Sequence, residues 1–384
     1  MPQKVIFINS HPIQYFAPLF KHMNGQGVPT ACWYCSDENV RGHTDREFQS
    51  CVLWDIPMLD GYEFRFFKNY SWTPSLYNGF FGLINPTLLI ALVRERHSVI
   101  VVHGWASFTH VLAIIVARLV GHTVCLRGES PLNQELLKSG TNQLLKRFLL
   151  GGFIFLFVQK FLYIGSQNKA FYQHFGVIES KLFFAPYAVD NSRFQKAAAE
   201  LAPHKSELRT KLGLPVASRI ILFTAKFISK KRPLDLLVAY DQLEIPDKCL
   251  VMVGDGELRP EMEKFIREKG LTNVYLTGFI NQSSIVEYYA IADVFVLCSG
   301  RGETWGLSVN EALNFALPVV VSDIAGCSSD LVKEGLNGYV SKSGNVNDLL
   351  FRLTMALGLK SARNDVLKTF SYETTTNFFK SQLN

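Results

Sequence analysis

The residues best suited to chemistry lie in the run Gly302-Glu303-Thr304-Trp305-Gly306-Leu307-Ser308-Val309-Asn310-Glu311-Ala312-Leu313. A glycine-containing loop here runs into a helix, whose first amides have no partner inside it. Gly306 and Leu307 can therefore turn N–H groups toward an anion, and the helix dipole adds to the attraction. A diphosphate suits that place. Glu311, about one turn further in, can accept both hydroxyls of a ribose, whereas Glu303 stays outside the helix in the loop. Ser308 and Glu311 also have the spacing of a capping box, a purely structural use of the same carboxylate. That use does not require Glu303, Trp305 and Gly306 just before it. A second set lies upstream in Phe223-Thr224-Ala225-Lys226-Phe227-Ile228-Ser229-Lys230-Lys231-Arg232-Pro233, a strand end, a basic loop and a helix start. Its four cations within seven residues repel one another unless an anion joins them. A solvated basic loop is the plain alternative; pairing with the 302–311 loop favours the anion.

Such loops must be held by a sheet. Strand-like runs at 5–8, 30–34, 99–103, 123–126 and 161–164 alternate with helical patterns at 107–120 and 167–175, which predicts a parallel sheet covered by helices. The Ala-rich, charged stretch Gln195 to Pro215, with Pro203 inside it, reads as a linker. The alternation then restarts: strands at 219–224, 249–253, 274–276, 294–297 and 319–321, with helices opened by Pro233 and near 258–269, 283–292 and 307–316. The expectation is two Rossmann-like, doubly wound α/β domains, 1–195 and 196–369, facing across a cleft, with a C-terminal helix at about 370–384 packing back on the first.

Composition narrows the function. A chain of 384 residues with 48% hydrophobic and 19% charged residues is globular, and slightly apolar for a freely soluble enzyme. A net charge of +6 with no basic stripe interleaved with aromatics argues against nucleic acid and for a small anion or a lipid surface. Seven cysteines, odd in number and scattered, with the N-terminus entering a first strand rather than a signal peptide, point to a reducing cytoplasm. Cys32 and Cys35 lie in a strand-like run, unlike a redox pair at a helix start. No second Cys or His pair with zinc-ligand spacing accompanies Cys32 and Cys35, and no Asp-x-Asp pair would hold magnesium on a diphosphate. The run Phe148 to Val158 is too short to span a bilayer, which needs about 20 residues. It reads either as a buried helix or as an apolar face in the membrane interface, with Lys146, Arg147 and Lys160 beside it.

From the Lys226 loop through Val253-Gly254-Asp255-Gly256, Thr277-Gly278-Phe279, Ala292-Asp293-Val294, the pair Glu303/Glu311 and Gly335-Leu336-Asn337-Gly338, the second half resembles the retaining GT-B glycosyltransferases of family four. The resemblance implies that Lys226 and Lys231 hold the donor diphosphate, where the family more often has Arg then Lys. It further implies that Glu303 meets the donor sugar, Glu311 the ribose, and the backbone near Phe279 and Ile280 the base. In the first half Leu162-Tyr163-Ile164-Gly165-Ser166 and Pro186-Tyr187-Ala188-Val189-Asp190, with Phe194, are similar to the family's crossover region. Where many members have Gly-Gly after the first strand this chain has Ser10-His11-Pro12-Ile13-Gln14-Tyr15, and Arg127-Gly128-Glu129 stands where many have a His. His11, Gln14, Arg127 and Glu129 are the acceptor-side candidates.

The implied reaction moves a sugar from a UDP- or GDP-sugar to a saccharide or lipid-linked saccharide in surface-glycan biosynthesis, with no metal or other cofactor. Lys226, Lys231 and the helix amides would carry the leaving diphosphate, with retention at the anomeric carbon. The expected location is the cytoplasm, at the inner face of the membrane. A phosphorylase or epimerase on the same architecture, and a non-catalytic nucleotide-sugar-binding partner, are the rival readings.

Overall fold

The structure is a computed structural model and describes residues 4–38, 40, 43–45, 50–138, 146–359 and 365–383. By contacts the chain forms two compact units: Met1–His43, Pro57–Tyr187 and Phe370–Asn384 make the first, and Thr44–Ile56 with Ala188–Thr369 the second.

In the first unit the strands are β1 (Val5–Asn9) and β2 (Thr30–Tyr34), then, past a separate two-stranded sheet of β3 (His43–Asp45) and β4 (Ser50–Val52), β5 (Glu63–Phe66), β6 (Val99–His103), β7 (Thr123–Arg127), β8 (Lys160–Tyr163) and β9 (Leu182–Phe184). Seven of them form one sheet in the order β5-β2-β1-β6-β7-β8-β9, parallel throughout. β1 and β2 are buried at every position, as strands covered on both faces must be, so their sequences are continuous apolar runs. The helix expected at 107–120 spans Phe108–Leu119, with Ser107 capping it by accepting from the His110 amide. The helix Tyr372–Leu383 belongs to this unit, its Phe379 ring 5.4 Å from Phe7.

The main sheet of the second unit has six strands among the described residues, β10 (Arg219–Thr224), β11 (Lys248–Val253), β12 (Val274–Leu276), β13 (Val294–Leu297), β14 (Val319–Ser322) and β15 (Gly338–Ser341). Their order is β12-β11-β10-β13-β14-β15, again all parallel. In both sheets the winding reverses direction once, between β1 and β6 and between β10 and β13, and ligands of doubly wound sheets bind at the strand ends there.

Three expectations need correction. The stretch 195–215 is not a linker: it holds the end of the helix Asn191–Leu201 and the helix Lys205–Lys211. Its Ala, Lys and Glu are good helix formers, and Arg209 ties it to the second unit through Ile291 O, Ser218 O and Asp293. The division between units therefore falls at 187/188 rather than 195/196, and residues 44–56 go with the second unit. Finally, 148–158 is not a buried helix throughout. Leu150, Ile154, Phe155 and Val158 enter the core while Phe148 (72%) and Leu156 (70%) are exposed, around a short 3-10 turn at Ile154–Phe157. Among the described residues no helix is long and apolar enough to cross a membrane.

Candidate functional site

The basic loop follows β10 and the Glu303 loop follows β13, the two strands at the reversal of the second sheet, so residues about 70 apart in sequence are neighbours. Backbone bonds fix the loops to each other and to the loop after β11. Gly300 N donates to Lys230 O at 2.7 Å, and Phe227 N to Asp255 O at 2.8 Å. The Gly254-Asp255-Gly256 motif is explained by this packing: a Cβ on Gly254 (φ +145°) would lie 2.0 Å from Ala225 O. Only glycine allows that approach.

Of the four cations, Arg232 binds Asp235 at 2.6 Å and serves the start of its own helix, Pro233–Asp241. Lys230 is exposed and Lys226 half-buried. Lys231 reaches across and its ammonium donates to the Glu303 carboxylate, which also accepts from Ser299 Oγ at 2.8 Å. Glu303 is 6% exposed. Burial pushes its carboxyl up, but Lys231 and Lys230 outweigh burial and hold it below the usual carboxylate range.

The helix Leu307–Asn314 begins at Gly306, whose φ of 108° is left-handed, and no side chain caps it. The capping box of Ser308 and Glu311 does not form. Glu311, 3% exposed, instead accepts from Tyr289 Oη at 2.6 Å, and Tyr289 meets Thr224 Oγ1 at 2.9 Å. Trp305 is a scaffold residue, buried with its indole N–H on Asn310 Oδ1 at 2.9 Å. The 303–305 loop is held from behind by Gly326 and Cys327, whose amides donate to Glu303 O and Trp305 O. A Cβ on Gly326 would lie 1.9 Å from Thr304 O. Phe279 and Ile280 follow β12 at the sheet edge and are half-buried.

Lysine, an uncapped helix start and two buried carboxylates thus share one end of one sheet, a set suited to a polyanion carrying hydroxyl groups. Sequence reasoning missed Ser299, Tyr289 and Thr224. Tyr289 sits among the apolar positions of its helix, and nothing in its spacing marks its hydroxyl as polar machinery.

In the first unit, Arg127 ends β7 and is 3% exposed. Its Nη2 donates to Pro186 O at 3.1 Å, and its guanidinium lies 4.9 Å from the Tyr187 ring centre and 5.2 Å from that of Phe16. Burial lowers its pKa. Tyr187 donates its hydroxyl to Glu129. His11 Nδ1 is 2.9 Å from Ser10 Oγ, and Gln14 is half-buried in the same loop. Arg127 and Glu129 are thus joined through Tyr187, while His11 and Gln14 stand in the loop after β1.

Residues 204–369 match the family model described as glycosyl transferases group 1. A sulfoquinovosyl transferase of Arabidopsis thaliana is 29% identical over 171 residues, 44% of this chain and 32% of that protein. The chain thus spans about a third of the length of the relative it matches there. A UDP-Gal:alpha-D-GlcNAc-diphosphoundecaprenol alpha-1,3-galactosyltransferase of Escherichia coli is 26% identical over 295 residues, 73% of each chain. The crystal structure of the Anabaena protein HepE in complex with UDP and glucose superposes with a TM-score of 0.71 over 99% of each chain, at 17% identity. That likeness shows the fold, the two parallel-sheet α/β domains of the GT-B architecture. Over residues 204–369 the chain is thus similar to the group 1 glycosyltransferases.

Proposed function

We propose that this chain is a retaining, metal-independent glycosyltransferase that moves a sugar from a UDP- or GDP-sugar to a saccharide or lipid-linked saccharide in surface-glycan biosynthesis. The observation that carries the reading is the buried contact of Lys231 with Glu303 beside the uncapped start of the helix Leu307–Asn314. Breaking the sugar–phosphate bond leaves negative charge on the diphosphate. Fixed charges aimed at that group lower the barrier, and Lys226, Lys231 and the amides at Gly306 and Leu307 supply them. Glu303 stays ionised near neutral pH, so it accepts a hydroxyl of the donor sugar while its salt bridge keeps Lys231 extended toward the phosphate. Glu311, steadied by Tyr289, accepts the ribose hydroxyls, and the backbone at Phe279 and Ile280 takes the base. The lysines provide the charge neutralisation that a metal supplies in other enzymes. The names of the Escherichia coli galactosyltransferase and of the HepE complex favour uridine and a lipid-linked acceptor. Arg127, Glu129, His11 and Gln14 are the acceptor-side residues of the first unit.

Calorimetric titration with UDP and GDP tests the donor reading. The parent binds one of them, and Lys231→Ala binds it at least tenfold more weakly; a parent that binds neither overturns the proposal. The exposed Phe148, Leu149, Phe153 and Leu156 beside Arg147 suit the interface of an anionic membrane at its cytoplasmic face. Flotation with anionic liposomes should fall when Phe148 and Leu156 become Ser, and unchanged flotation removes the membrane contact.

A further inference from the structure

The second unit contains one short segment from far away in the chain, and it lands on the loop assigned to the base. Five contacts hold it there. Asp55 N donates to Asn281 Oδ1 at 3.2 Å, and Asn281 Nδ2 donates to Leu53 O at 2.6 Å. The Asp55 carboxylate accepts from Ser283 N at 3.1 Å and from the Ser283 hydroxyl. The Trp54 ring stands edge-on to Phe279 with centroids 5.7 Å apart.

This attachment does something the sheet does not. β12 is an edge strand of three residues, so the loop after it has little ladder to hold it. Gln282 is fixed from the other side, with Arg193 donating to its carbonyl at 3.0 Å and to its side-chain oxygen at 2.8 Å. Residues 281, 282 and 283 are therefore each tied to a segment distant in sequence, and Phe279 and Ile280 just before them inherit a fixed backbone. A base read by backbone groups needs that fixity, because each freely rotating peptide costs conformational entropy when it is ordered on binding.

We propose that Leu53–Ile56 is part of the nucleotide subsite, with Trp54 and Asp55 as positioning residues that set affinity for the nucleoside end of the donor. The inference rests on the donor reading above. It separates the two ends of the ligand: the base end depends on the segment, and the diphosphate end, held by Lys231 and the helix amides, does not.

The test is calorimetric titration of the full chain with UDP, GDP and inorganic diphosphate, on the parent and on Trp54→Ala, Trp54→Phe, Asp55→Ala and Asp55→Asn. The nucleoside diphosphate bound by the parent should weaken about tenfold in both alanine variants, the worth of one charge-assisted hydrogen bond for Asp55 and of an edge-to-face ring pair for Trp54. Inorganic diphosphate should bind all five proteins alike, and the conservative variants Trp54→Phe and Asp55→Asn should recover most of the loss. Equal weakening of both ligands, or no weakening of either, overturns the role of the segment while leaving the donor reading intact. A parent that binds neither UDP nor GDP overturns the donor reading itself, and this inference with it.

Discussion

Replacing Lys231 by Ala removes the cation that offsets the burial of Glu303. The two side chains are 17% and 8% exposed, so this is a largely desolvated pair rather than a surface salt bridge. Breaking such a pair by deleting one partner costs about 3–5 kcal/mol, because the remaining carboxylate stays buried with less to stabilise its charge. At roughly 2–4 °C per kcal/mol for a unit of this size, the melting temperature should fall by about 10 °C. The double variant Lys231→Ala with Glu303→Gln removes both charges and should recover about 2 kcal/mol of that loss, so a double-mutant cycle closed by Glu303→Gln alone should give a coupling of at least about 2 kcal/mol. The pH dependence adds a sign. In the parent the Glu303 carboxyl is held below its ordinary value, so its contribution is present above the ordinary carboxylate pKa and is lost as pH falls through the depressed one. In Lys231→Ala burial is less opposed, and protonation relieves the strain instead. The stability gap between parent and variant should therefore narrow below about pH 4. Urea unfolding of the four proteins across pH 3–7 measures all of this. A Lys231→Ala protein that unfolds with the parent, or a double variant as weak as the sum of its singles, refutes the picture of a buried, coupled pair.

Tyr289→Phe removes the 2.6 Å bond to Glu311 and should cost about 1.5–3 kcal/mol, the range for bonds to charged groups; thermal unfolding of the variant measures it, and no loss would show Glu311 held by other means. Gly326→Ala places a methyl 1.9 Å from Thr304 O, so the 303–305 loop must shift; nucleoside diphosphate binding should drop more than tenfold, and an unchanged titration would count against that loop's role. His110 is buried, and burial, then His11, lowers its pKa to about 4. The unfolded chain binds a proton below about pH 6.5 that the folded chain refuses, so stability is lost as pH falls from about 6.5 toward 4, by up to about 3 kcal/mol. Denaturant midpoints in His110→Gln should lose that slope, and an unchanged slope would assign it to His103, which burial and Arg127 also depress.

The donor loops were legible because their signals are local. A parallel strand buried on both faces is a continuous apolar run, and the loop past its C-terminal end is by topology at the ligand face, so Lys226, Lys231, Glu303 and Glu311 could be named from the run of residues around them. Their partners were not legible. Tyr289 meets Glu311 and Asp55 meets Ser283 only because strands separated in sequence are adjacent in the sheet or a distant segment crosses to it. Residues 195–215 misled for a different reason: Pro203 looks like a breaker but opens the short turn Ala202–His204 between two helices, a position where its missing N–H is harmless. The capping-box spacing at Ser308 was real, yet Gly306 had already set the helix start two residues earlier.

The path of the chain between the two units bears on how the protein is made. The first unit is left at Tyr187 and resumed at Phe370, and the second takes in Thr44–Ile56. A ribosome that has emitted the first 187 residues has not yet delivered Phe379, which covers Phe7 of the first strand. That core face stays wet until the 188–369 segment has been translated, a delay of roughly ten to forty seconds at about 5–20 residues per second. Cutting the gene at 187/188 would therefore yield two fragments, each missing a piece carried by the other.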